Sequence, residues 1–147
     1  MIAVAVYVHT KKFFWKKNKV AAVVRVAATL ENKIAGSVEI NIVGDRRIQT
    51  LNRVFRGRNQ PTDVLSFAWR EDPAYRGALL GQLYLAMPYI IRQAKRFSVS
   101  PPEEFVRLLT HGLLHIVGYD HDTTRKAKRM FYLQEKIVTR AYPRFIA

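Results

Sequence analysis

The apolar positions of this 147-residue chain switch between two periods, and the switches mark out its elements. Residues 2–8, IAVAVYV, are apolar and largely β-branched, which reads as a strand. From residue 11 to residue 30 the apolar positions recur at helical spacing, predicting a helix that ends at TLEN. Gly36 introduces SVEINIV, whose alternation is that of a second strand. Asp45 is placed to cap a second helix running through residue 55, with Ile48, Leu51, Asn52 and Phe55 along one side, before Gly57 and the polar RNQP break it. DVLSFAW at 63–69 reads as a strand, EDPAYRG at 71–77 as a loop and QLYLAM at 82–87 as a short strand. Pro88 opens a helix to about Phe97.

The clearest helix follows. Ser100, the prolines at 101 and 102 and Glu103 read as a capping box with prolines where a missing N–H costs least, so the helix starts at 101. Gly118 is placed to end it in the left-handed conformation. A last helix from about Thr123 to Arg140 has Met130, Phe131, Leu133, Ile137 and Val138 available for packing. No repeat, low-complexity tract or Pro/Gly/Ser linker divides the chain. The expected architecture is α/β (α+β): one domain over residues 1–147, with a mixed sheet of about four strands packed against four to five helices.

The chain has no cysteine, which excludes disulfide partners, thiolate metal ligands and a thiol nucleophile, so any metal must sit on His, Asp or Glu. Charges interrupt every apolar run short of the ~18 residues that span a bilayer, and IAVAVYV lacks the basic lead of a secretory signal. A cytoplasmic protein with no membrane partner is expected. Lys and Arg total 25 against 11 Asp and Glu, and the net charge of +14 favours a polyanionic partner, nucleic acid first. The densest cluster is Lys11, Lys12, Lys16, Lys17 and Lys19, interleaved with Phe13, Phe14 and Trp15. It reads as a helix with a lysine face and an aromatic core face, and a solvated basic face also binds phosphate.

Three of the four histidines fall within HGLLHIVGYDH, residues 111–121. His111 and His115 are four apart, which on a helix places them one turn apart on one face. Gly118 permits a reversal that swings His121 beside them. Three neutral imidazoles at the end of a central helix leave a fourth position for water; zinc suits this set best, with nickel and iron as alternatives. A histidine pair at this spacing also occurs on helices that bind nothing, but the third histidine beyond a turn glycine favours metal. The spacing matches the HExxHxxGxxH of metzincin proteases with one difference: Gly112 stands where their general-base glutamate would be, which argues against peptide hydrolysis. Glycine there either leaves open space above the metal for a phosphate or serves close helix packing.

HGLLHIVGYDH resembles the signature of the YbeY endoribonucleases, bacterial proteins associated with ribosomal RNA maturation. LNRVFRGRNQPTDVLSF, residues 51–67, resembles that family's other characteristic segment. The resemblance implies Zn2+ on His111, His115 and His121, and a functional arginine at Arg56; these four residues form the implied catalytic set. It also implies single-stranded RNA, the 16S rRNA among ribosomal RNAs, as substrate, and a role in ribosome biogenesis and quality control with the small ribosomal subunit and assembly factors as partners. A guanidinium beside a metal can fork onto phosphate oxygens while the phosphodiester is attacked, although an ordinary surface arginine would look the same in sequence. Arg58 is a weaker phosphate-contact candidate.

Asp120 is placed to orient a ligand imidazole, to act as a base or to stabilise a turn. Thr62, Asp63 and Ser66 are expected to fix the loop and strand, and Asn52 to brace the cleft. One departure stands out: Gly81-Gln82 replaces the Gly-Asp common in the family, which puts any bracing role of that carboxylate in doubt. Two other readings fit the same residues, a non-catalytic ribosome-assembly factor with a structural zinc and a metal hydrolase of small phosphate esters.

Overall fold

The computed structural model describes residues 2–147. Strands β1 (Ile2–Val8), β2 (Gly36–Val43), β3 (Val64–Phe67) and β4 (Leu79–Ala86) form one sheet in the order β1-β2-β4-β3. The first three in that order run parallel, and β3 lies antiparallel to β4 at the edge, with Ser66 opposite Leu83. Helices α1 (Lys17–Leu30), α2 (Asp45–Arg56), α3 (Met87–Arg96), α4 (Pro101–Ile116) and α5 (Thr124–Ile146) complete the mixed α/β fold.

The sheet has a core on each face. The larger joins β1, β2 and β4 to α1, α3, α4 and α5 through side chains such as Val24, Ile40, Leu83, Leu109, Leu113 and Ile137. The smaller packs α2 on the opposite face through Val43, Ile48, Leu51, Leu65, Phe67 and Ala86. Successive strand residues point to opposite faces, so Gly81, Leu83 and Leu85 of β4 face α4, while Gln82, Tyr84 and Ala86 face the α2 side. A Cβ on Gly81 would lie 2.9 Å from Ile116, so this glycine lets the end of α4 press onto the sheet.

Several boundaries differ from the sequence expectation. The first helix begins at Lys17 rather than 11. Phe13 is buried against Phe105 at 5.1 Å and Trp15 packs on Phe145 at 5.4 Å, which holds residues 11–16 as a packed loop; Phe14, expected on the core face, is 76% exposed, and Lys17 and Lys19 lie within α1. Gly44, not Asp45, is the N-cap of α2; Asp45 is the first helical residue and pairs with Arg92 at 2.7 Å. The strand read over 63–69 contracts to Val64–Phe67, because the Asp63 carboxylate takes the Val64 N–H and Trp69–Glu71 coil into a short turn of helix.

β4 starts at Leu79, earlier than 82, and α5 runs to Ile146 through Pro143 instead of stopping at Arg140. Proline costs the helix one hydrogen bond, and the stack of buried Phe145 on Phe105 at 5.5 Å holds the last turn in place. The Ser100 hydroxyl accepts from the Glu103 N–H as expected, but the Glu103 carboxylate turns to Arg107 at 2.9 Å instead of closing the capping box. Phe131, expected in the core, is exposed and faces the histidines.

Candidate metal centre and cleft

α4 buries Leu109, Leu113 and Leu114 against the sheet and neighbouring helices, which turns His111 and His115 outward on its half-buried side. The helix then ends in a Schellman turn. Gly118 sits at φ +100°, its N–H reaches His115 O at 3.1 Å, and Tyr119 N–H reaches Leu114 O at 3.0 Å. The Tyr119 hydroxyl donates to Glu31, tying the turn to the end of α1, and Lys33 and Arg129 lie over the Tyr119 ring. His121 is thereby delivered beside the helical pair. One nitrogen from each of the three rings lies within 4.8 Å of the others.

The donor set fits a metal ion on a hydrogen-bond argument. Gln134, buried in α5, donates its Nε2 to the Glu135 carboxylate at 3.2 Å, which turns its carbonyl oxygen toward His111 Nδ1 at 2.7 Å. The His111 Nδ1 must then carry the proton, which leaves Nε2 bare and 3.0 Å from His115 Nε2. Two imidazole nitrogens facing at that distance call for a proton or a cation between them. Burial first, then the neighbouring imidazoles of His111 and His121, holds the His115 pKa below the ordinary histidine value, against the opposing pull of the Tyr119 backbone and Asp120. The neutral imidazole so favoured is the metal-binding form.

A cleft of about 710 Å³ opens beside the pair, lined by Arg56, Ser66, Glu104 and Arg107 together with His111, His115 and Gln134. Arg56 closes α2, donates to the Ser66 carbonyl of edge strand β3 at 2.9 Å and lies over the Phe67 ring at 5.0 Å. Its guanidinium is exposed and shares the lining with two histidines. The floor is a polar network in which Gln93 bridges Asp63 at 3.1 Å and Glu104 at 2.8 Å, while Arg107 forks onto Glu135 at 2.9 Å. Sequence reading missed Gln134, Gln93 and Glu104. The available signal for Gln134 was a polar residue on the helical stripe Met130, Gln134, Ile137, Val138 and Ala141.

Other expected residues fall into place or out of it. Arg58 follows the left-handed Gly57 and does not line the cleft. Asn52 is buried and donates to Gln60 O at 2.8 Å, bracing the loop after α2. Asp120 bonds the Asp122 N–H at 3.2 Å and pairs with Lys126 at 3.7 Å, the pattern of a turn-stabilising aspartate, with no hydrogen bond to a histidine among the described residues. Gly112 leaves no open space above the histidines. Its Cβ would lie 2.6 Å from Leu83 Cδ2 and 3.2 Å from Ser66 Oγ, so close packing of α4 on the sheet explains it. Gln82 faces the other side of the sheet, bonded to Trp69 at 2.7 Å and Glu39 at 2.8 Å, outside the cleft lining.

A helix-borne histidine pair completed by a third beyond a glycine turn, on an α/β sheet, gives the chain three imidazoles that could hold one metal ion. Comparison with known proteins narrows this class. The family model described as Endoribonuclease YbeY matches residues 6–142. The chain is 44% identical over 101 residues to Endoribonuclease YbeY of Sulfurihydrogenibium sp., covering 68% of this chain and 66% of that one. It is 43% identical to the Persephonella marina protein of the same name, covering 76% of each, and 35% identical to that of Malacoplasma penetrans, covering 87% of each. The solution structure of TM1509 from Thermotoga maritima superposes with a TM-score of 0.62 at 26% identity, covering 97% of this chain and 90% of that one. The chain belongs to the endoribonuclease YbeY family. Among the described residues, no helix is long and apolar enough to cross a membrane.

Proposed function

We propose that the chain is a zinc-dependent endoribonuclease of the cytoplasm that cleaves single-stranded ribosomal RNA during small-subunit maturation, with Arg56 holding the scissile phosphate. The observation that carries this is the shared lining of one cleft by Arg56, His111 and His115, beside the three-nitrogen cluster. The family, whose relatives carry the name endoribonuclease, and the net charge of +14 point the same way.

His111, His115 and His121 would hold the metal. Bound there, it would supply Lewis-acid activation of a water or hydroxyl nucleophile and neutralise charge on the phosphate. Gln134 keeps the His111 proton on Nδ1 and its lone pair on Nε2, directed at the cluster. Arg56 is held by the Ser66 carbonyl through Nη2, by a long 3.5 Å bond from Nη1 to the Phe55 carbonyl and by the Phe67 ring beneath it, which leaves a positioned, exposed cation at the cleft for phosphate oxygens. The general base of a metalloprotease has no counterpart at Gly112, so catalysis rests on electrostatics and the metal, and turnover is expected to be modest.

The test is cleavage of single-stranded RNA by zinc-loaded wild type and an Arg56→Ala variant with measured, unchanged zinc content. Losing one charged donor to the transition state should lower kcat by about 100-fold or more. Cleavage unaffected in the variant would refute the role given to Arg56, and RNA binding without cleavage by wild type would favour the assembly-factor reading.

A further inference from the structure

A second, larger concavity lies on the other side of the histidines. It is a groove of about 1090 Å³ along α5, with His121 at one end. Lys128, Tyr132, Lys136 and Arg140 line it at intervals of four residues, so they stand one per turn on one face of the helix. At 1.5 Å per residue this stripe is roughly 18 Å long.

Its chemistry is that of a nucleic-acid track. Phe131, 44% exposed, lies parallel to both His111 at 6.2 Å and His121 at 6.1 Å, so the groove wall is continuous with the metal centre. Tyr132 is 73% exposed between two lysines. Two acids line the groove, Asp122 and Glu135, and Arg107 occupies the Glu135 carboxylate. No ion pair among the described residues involves Lys128, Lys136 or Arg140. A solvated helix face would account for the lysines alone. It does not account for an exposed tyrosine set among them or for a phenylalanine stacked at the histidines. Cations that follow a phosphate backbone and rings that take bases are the two parts of a single-strand binding surface.

We propose that the α5 groove is a second arm of the RNA site: a single strand with one flank in the Arg56 cleft crosses the histidine cluster and continues along Lys128, Tyr132, Lys136 and Arg140. This rests on the endoribonuclease reading for the crossing point, while the groove itself is tested by binding.

The experiment compares zinc-loaded wild type with Tyr132→Ala, a groove triple (Lys128→Gln, Lys136→Gln, Arg140→Gln) and a charge-matched control (Arg25→Gln, Arg46→Gln, Arg47→Gln), each checked for cooperative unfolding. Affinity is measured over a range of salt for single-stranded RNAs from a trinucleotide to about 16 nucleotides, with cleavage read in parallel. The groove triple should lose about tenfold or more in affinity for the longer RNAs, and its log–log salt slope should shrink by about 2, since each contact on a single strand contributes ~0.7. Trinucleotide binding should change far less. Tyr132→Ala should lose roughly fivefold with its salt slope kept, and the control should lose much less than the groove triple. Equal losses in both triples, a loss independent of RNA length or an unchanged salt slope would overturn the proposal. If this binding pattern appears but wild type cleaves nothing, the endoribonuclease reading fails and the groove stands. If wild type cleaves while the groove variants bind like wild type, the groove fails alone.

Discussion

His111 Nδ1 donates to Gln134 Oε1 at 2.7 Å, and this bond decides which nitrogen of the histidine faces its two partners. Gln134 is itself oriented by Glu135, so the histidine cluster is set from α5 as much as from the helix that carries the pair. Gln134→Leu should weaken zinc binding by roughly 10- to 100-fold in a chelator competition, the usual cost of removing such a partner. Gln134→Glu, which keeps an acceptor in place, should recover most of the affinity. Equal affinity in wild type and Gln134→Leu would mean that His111 is oriented by packing alone.

Tyr119 makes a second, independent claim on geometry. Burial opposes the charge on Glu31, but the hydrogen bonds from Tyr119 and the Lys33 N–H, with the nearby Lys33 and Arg129 charges, hold its pKa below the ordinary value. The bond to Glu31 pins the turn that delivers His121. Tyr119→Phe should cost about 1 kcal/mol in denaturant unfolding and also reduce zinc affinity. A variant that loses stability but binds zinc like wild type would show that the turn holds His121 without the tether.

Gly112→Ala weighs two opposed effects. Alanine gains about 1 kcal/mol of helix propensity over glycine, while a methyl 2.6 Å from Leu83 Cδ2 overpacks a closed core, at about 1–3 kcal/mol. The packing term should win, giving net destabilisation of about 1 kcal/mol by chemical denaturation. A stabilised variant would mean that Leu83 yields freely and that the glycine has another purpose.

Glu135 gives a pH-dependent outcome. Its hydrogen bonds with Arg107 keep its pKa below the ordinary carboxylate value despite partial burial. The stabilisation is therefore complete above the unfolded-state pKa and is lost as pH falls through the folded one. Between pH 7 and pH 3, wild type should lose a few tenths to about 1 kcal/mol more than Glu135→Gln, because this half-exposed pair is screened by solvent. Identical acid sensitivity in the two proteins would show that the pair contributes nothing.

The order of strands and helices was legible in the sequence because it rests on local period and on turn glycines such as Gly57 and Gly118. The three histidines were legible for the same reason: their spacing is set by one helix and one turn. What stayed hidden depends on contacts far along the chain. The segment before α1 has helical periodicity, yet Phe105 and Phe145 hold Phe13 and Trp15 in a loop. Gly112 reads equally as open space or close packing until Leu83 is seen against it. Gln134, 23 residues from His111, becomes a partner only when α5 folds back along α4.

The most direct test of the central claim is metal-dependent cleavage. Purified protein is stripped of metal, assayed on single-stranded ribosomal RNA, then reloaded with zinc and assayed again, beside a His115→Ala variant treated identically. One zinc per chain is expected, with cleavage that disappears on stripping and returns on reloading, and neither zinc nor cleavage in the variant. Cleavage that persists in the stripped protein, or RNA that is bound but left intact by the fully loaded one, would contradict the central claim.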